Sequence, residues 1–200
     1  MTADAIEYGR TDALVVVDMQ NDFAHPDGSL YVVGGDAVVS LVNEQIQAAR
    51  EAGAFVAYTQ DWHPPETPHF VTDGGTWPVH CVRDTWGAEL HDGLDVPEAV
   101  APVRKGTGQA DGYSGFTVLD LATDTSEPTE LDSLLRERGV ERVVVVGIAT
   151  DVCVKATALD AVDLGYDTVV IAHATAAVDL AEGDGDRALA EMVSDGATVV

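Results

Sequence analysis

The segment Asp12-Ala-Leu-Val-Val-Val-Asp18 is a run of β-branched and apolar residues with no polar alternation. A strand of that kind is stable only when both of its faces are covered, which places it inside a sheet flanked by helices on two sides. The remaining sequence supplies such layers. Residues 36–50 carry Val38, Val39, Leu41, Val42, Ile46 and Ala49 at helical spacing, and Gly53 stands where a helix C-cap is expected. A second strand is predicted over 54–60, a short third over 101–104, a fourth over 143–146, and further strands over 168–172 and 197–200. Between them, helices are predicted from Pro128 through 130–138, over 151–164 up to Gly165, and near 187–193. Residues 106–115, 124–129 and 182–186 read as polar or acidic loops. Strands alternating with helices in this way predict an α/β fold: a three-layer α/β/α sandwich around a mostly parallel sheet, with residues 1–200 forming a single domain.

Charge narrows the function. A formal net charge of −25 repels nucleic-acid phosphates and anionic membrane surfaces, so neither is an expected partner. The longest apolar runs are strand-sized, far below the roughly 20 residues a membrane helix needs, and no charged-then-apolar leader opens the sequence. A cytoplasmic location follows as the expectation. Acidic residues are spread along the whole chain while lysine occurs only at positions 105 and 155. That pattern suits a salt-rich, halophilic setting, where screening removes most of the self-repulsion. The two cysteines, Cys81 and Cys153, lie far apart and do not suggest a disulfide framework.

In open parallel sheets, ligands bind beyond the carboxyl ends of the strands. Asp18, Asp61, Lys105 and Cys153 each follow a predicted strand within a few residues, so four chemically capable side chains share one rim. After Asp61 the pattern breaks for about thirty residues, too long and too aromatic for a simple connector. Half of the six histidines, His63, His69 and His80, fall in this stretch. One carboxylate with two or three imidazoles makes a plausible shell for a divalent Zn, Fe or Mn ion. Cys153 stands early in a predicted helix, where the helix N-terminus lowers a thiol pKa and offers amides to an oxyanion. Asp18, at the end of an apolar strand, needs a cation or a task. Cys81 reads as a small buried hydrophobe, Lys155 as a surface charge, and Trp62 and Trp86 as packing.

Taken together, these residues resemble the nicotinamidase branch of the isochorismatase-like hydrolases. The resemblance is carried by Val17-Asp-Met-Gln-Asn-Asp-Phe23, by Asp61-Trp-His-Pro-Pro-Glu-Thr-Pro-His69 with Trp77-Pro-Val-His-Cys81, by Lys105-Gly106 followed by Tyr113-Ser-Gly-Phe116, and by Gly147-Ile-Ala-Thr-Asp-Val-Cys153. It implies a catalytic triad of Asp18, Lys105 and Cys153, and an oxyanion hole made by the Ala149 and Cys153 amides after a cis Ile148–Ala149 bond. It further implies a metal held by Asp61, His63 and His80, with His69 either a further ligand or a residue behind them. Phe23, Trp77, Ile148 and Tyr113 would line the substrate pocket. The implied reaction is hydrolysis of a small amide, nicotinamide, to nicotinate and ammonia through a thioester, with no organic cofactor. Val152 departs from a position often polar in the family, which bears on fine substrate preference. Family members include monomers and larger assemblies, so a homo-oligomer stays open. Two alternatives remain at this stage: an amidase of the same superfamily acting on another amide without a metal, and a non-catalytic metal-binding or thiol-redox protein.

Overall fold

The computed structural model describes residues 6–97, 101–120, 123 and 125–200. The apolar run forms β1 (Asp12–Val17), in which every residue is buried, and a single helical turn, α1 (Asn21–Ala24), follows it. Its alternate side chains enter two different cores, as a doubly covered strand requires. Leu14 and Val16 pack with Val38, Val42 and Ile46 of helix α2 (Gly35–Ala52), whereas Ala13, Val15 and Val17 meet Leu131, Leu135, Ala158, Ala161 and Met192 on the opposite side. The last five come from α3 (Leu131–Glu137), α4 (Lys155–Asp163) and α5 (Asp184–Ser194). Each fully buried Val, Leu or Ile contributes about 1.5–3 kcal/mol, so these two seams dominate the fold's stability.

The other strands of the main sheet are β2 (Phe55–Asp61), β3 (Val103–Lys105), β7 (Arg142–Ile148), β8 (Asp167–Ala176) and β9 (Thr198–Val199). They run in the order β3-β2-β1-β7-β8-β9, every neighbouring pair parallel. The predicted three-layer α/β/α architecture is the one observed. Helix α2 ends where the sequence places its cap: Gly53 has φ +75, and its N–H donates to the carbonyls of Ala49 and Arg50.

Three expectations are corrected. Residues 106–115 and 124–129 are not wholly loop, because β4 (Ala110–Asp111), β5 (Thr117–Asp120) and β6 (Thr125–Pro128) form a small antiparallel sheet; residue 124 lies outside the described residues. Every residue of β6 is exposed, so its sequence carries no apolar alternation by which to recognise a strand. Pro128 closes this edge strand instead of opening a helix, an edge position that tolerates the missing N–H; helix α3 begins at Leu131, whose N–H is accepted by Thr129 Oγ1 at 3.1 Å. Likewise Asp184 and Asp186, read as part of an acidic loop, form the first turn of α5, where carboxylates favour the helix dipole. No helix among the described residues is long and apolar enough to cross a membrane.

Candidate active site

The strand order brings the carboxyl ends of β3, β2, β1 and β7 side by side. From them issue Lys105, Asp61, Asp18 and, one tight turn beyond β7, Cys153. Asp18 follows β1 with φ +46, which turns the chain sharply away from the sheet. After β7 comes a cis Ile148–Ala149 bond and a π-helical turn, Thr150–Val154, that holds Cys153. Gly147 has φ +116, and a Cβ there would lie 2.1 Å from the Val17 carbonyl, so β1 and β7 meet this closely only with glycine at that position.

Lys105 is fully buried and sits at the centre of the cluster. Its Nζ lies 2.7 Å from Asp18 Oδ2 and 3.6 Å from Cys153 Sγ, donates to the Gly112 carbonyl at 2.7 Å, and forms an ion pair with Asp61. Burial alone would lower its pKa, but the two carboxylates hold it well above the usual lysine value. Asp61 is held well below the usual carboxylate range: burial opposes this, and Lys105, His63 and His80 outweigh it. Asp18 goes the other way, pushed up by burial despite Lys105, while Thr59 donates to its Oδ1 at 2.7 Å. Burial also raises the Cys153 thiol well above its ordinary value, Lys105 pulling against this and Asp18 and Asp61 adding to it. This direction is opposite to the depression expected of a helix N-terminus, with desolvation the largest influence on the thiol and the two nearby carboxylates adding to it. Burial thus favours the neutral thiol at Cys153, the nucleophile candidate.

The long loop after β2 is held by two short parallel bridges, His63 with Val82 and Phe70 with Trp77. They bring His63, His69 and His80 together, all buried, with ring nitrogens within 4.8 Å of one another. Asp61 Oδ2 lies 3.7 Å from His63 Nε2 and 3.8 Å from His80 Nε2. Since a carbonyl only accepts, His63 Nδ1 must donate to Gly106 O (3.1 Å) and His80 Nδ1 to Pro78 O (2.6 Å), which leaves both Nε2 lone pairs for the cluster. His63 Nε2 is buried without a hydrogen-bond partner. An orphaned imidazole nitrogen facing two more imidazoles and a carboxylate fits a divalent metal, and the mixed nitrogen and oxygen donors suit Zn, Fe or Mn.

A pocket of about 380 Å³, its open mouth included, lies above Cys153. The four predicted wall residues, Phe23, Trp77, Ile148 and Tyr113, all line it, together with His69, His80, Asp61, Ala149 and Val152. Trp77 Nε1 donates to Tyr113 Oη at 2.9 Å, tying the loop after β2 to the segment between β4 and β5. Leu30, Val32 and Val178 complete the wall and were not foreseen, because a lone aliphatic residue in a loop carries no sign of its destination. Thr59 and Gln20 were also missed. Gln20 had a signal, a polar residue between buried Met19 and Phe23, but nothing that named its partners. Cys81 is fully buried, as expected, and Lys155 pairs with Glu191 at 3.1 Å. Trp62 lies under the Arg104 guanidinium at 3.7 Å, and Trp86 packs edge-on to His25.

The profile of the Isochorismatase domain family matches residues 12–200. The chain belongs to this family. Among relatives of this isochorismatase domain, the nicotinamidase of Escherichia coli K12 is 36% identical over 94% of the present chain and 93% of its own. A pyrazinamidase from Pyrococcus horikoshii, solved in complex with zinc, is 41% identical with a TM-score of 0.84, covering 95% of this chain and 98% of that one. PnC1 from L. infantum, solved in complex with nicotinate, is 38% identical with a TM-score of 0.86, covering 98% and 95%. The isochorismatase domain described here is an amidohydrolase with the fold of these enzymes.

Proposed function

We propose that the protein is a nicotinamidase, hydrolysing nicotinamide to nicotinate and ammonia, with Asp18, Lys105 and Cys153 as its catalytic residues. The observation that carries this reading is the position of Lys105: one buried ammonium touches the nucleophile, its base and the carboxylate of the histidine cluster, so both halves of the chemistry open on one pocket. The ligand-capable atoms of Asp18, Asp61 and Cys153 lie within 4.8 Å of one another. Asp18 takes the thiol proton as Cys153 Sγ attacks the amide carbonyl, and the Ala149 and Cys153 amides receive the oxyanion. Asp18 then returns the proton to the departing nitrogen and ammonia leaves. Asp18 next takes a proton from the water that attacks the thioester and passes it to the Cys153 sulfur as the C–S bond breaks; the nicotinic acid formed releases its proton to solvent as nicotinate. Lys105 stays charged throughout and holds Asp18 against the sulfur.

Asp61, His63, His69 and His80 would hold the divalent metal, which when bound supplies a Lewis-acid position for the pyridine nitrogen. Zinc is supported by the Pyrococcus horikoshii complex and by this donor set. Phe23 and Trp77 would flank the ring, with Tyr113 fixing Trp77 and Ile148 lining the pocket beside them. We read residues 1–200 as one domain, working in a salt-rich cytoplasm; 35 acidic against 10 basic residues support that setting. The test is ammonia release from nicotinamide against a panel of other small amides, in high salt. Preference for nicotinamide is expected, and equal or better turnover of amides lacking a ring nitrogen would reject the substrate assignment.

A further inference from the structure

Gln20 is fully buried, and no step above uses it. Its place follows from the end of β1. The β1–β2 ladder stops at Val16 opposite Tyr58, because the chain turns away at Asp18. Asp61 is paired on its far side with Lys105 of β3, but on the near side β1 no longer reaches it. The Gln20 side chain meets that edge instead: its Nε2 donates to Asp61 O at 2.7 Å, and its Oε1 accepts from Asp61 N–H at 2.8 Å. The second hydrogen of Nε2 goes to Ala88 O at 2.9 Å. A primary amide offers a donor and an acceptor side by side, as a peptide group does, so one side chain replaces the missing strand at one residue.

We infer that Gln20 is a positioning residue for the metal site, fixing the Asp61 backbone from both its N–H and its carbonyl and thereby aiming the Asp61 carboxylate at the histidine cluster and Lys105. The inference rests on the reading of Asp61 as a metal ligand. Partners that orient a ligand typically govern metal affinity by about tenfold to a hundredfold, whereas a buried amide serving packing alone affects stability and not affinity. Gln60 separates the two roles. Its Nε2 donates to the same Ala88 carbonyl at 2.8 Å, yet its side chain makes no hydrogen bond to the Asp61 backbone among those described.

The experiment measures the zinc dissociation constant of folded protein by chelator competition, with the melting temperature of the metal-free form alongside. Gln20→Met is expected to raise the zinc constant by about tenfold to a hundredfold. Gln60→Met is expected to lower the melting temperature without changing that constant. Gln20→Asn keeps a polar amide but falls one methylene short, so it too should weaken zinc; it carries the test if Gln20→Met does not fold. A Gln20 variant that melts earlier yet binds zinc as wild type does would overturn the inference. Failure of wild-type protein to bind zinc at all would instead reject the metal reading, and this inference with it.

Discussion

Among single residues, the most legible in the sequence are those that are costly where they stand. A carboxylate ending an apolar strand and one of only two lysines announce themselves because burying a charge demands a partner; here each is the other's partner at 2.7 Å. Thr59 gave no such signal, since a threonine in a strand is ordinary until Asp18 is seen on its hydroxyl. Cys153→Ala is expected to cut amide hydrolysis by at least about 10⁴-fold while folding and metal content persist. Cys81→Ala should cost about 1 kcal/mol of stability and leave turnover intact. Loss of activity in the Cys81 variant alone would move the nucleophile. Because burial raises the Cys153 thiol, its thiolate gains only as pH rises above the ordinary value of about 8.5. Its alkylation rate in the metal-free protein should therefore keep climbing through that pH, and an early plateau at neutral pH would show a standing thiolate instead.

At the scale of elements, the buried strands and their helices were readable because both their faces, or one clear stripe, are apolar: β1, β7 and α2 appear almost where the pattern places them. The β4-β5-β6 sheet was not readable, since its strands are two to four residues long and β6 is wholly exposed. The same limit hid the π-helical turn at Cys153, whose hydrogen-bond pattern shares the composition of an ordinary helix start. What delivers Cys153 to Lys105 is the contact of β7 with β1 at Gly147, where the β7–β8 register also shifts. Gly147→Ala places a methyl on the Val17 carbonyl in a backbone conformation that disfavours it. A loss of more than about 2 kcal/mol is expected, a fall in melting temperature of about 5 °C or more. An unchanged melting temperature would show that the two strands part without cost.

For the whole molecule, the net charge of −25 says nothing about the fold but much about conditions. Diluting salt from about 1 M to about 0.1 M lengthens the screening distance from about 3 Å to about 10 Å, so carboxylate repulsion spreads across the surface. Melting temperature and turnover should both fall over that range; full stability in dilute buffer would reduce the acidic surface to an aid to solubility. The family was legible from four motifs in order, whereas the way Lys105 joins Cys153 to the histidine cluster became visible only when the strand ends were brought together. At that junction the proposed reaction depends on a bound metal as well as on Cys153. Ammonia release from nicotinamide reads this dependence in one sample whose metal content, set by chelation and resupply, is followed by elemental analysis. Turnover is expected to rise in proportion to bound metal, with His63→Ala and His80→Ala near zero on both axes. Full turnover of nicotinamide by protein shown to be metal-free would contradict it.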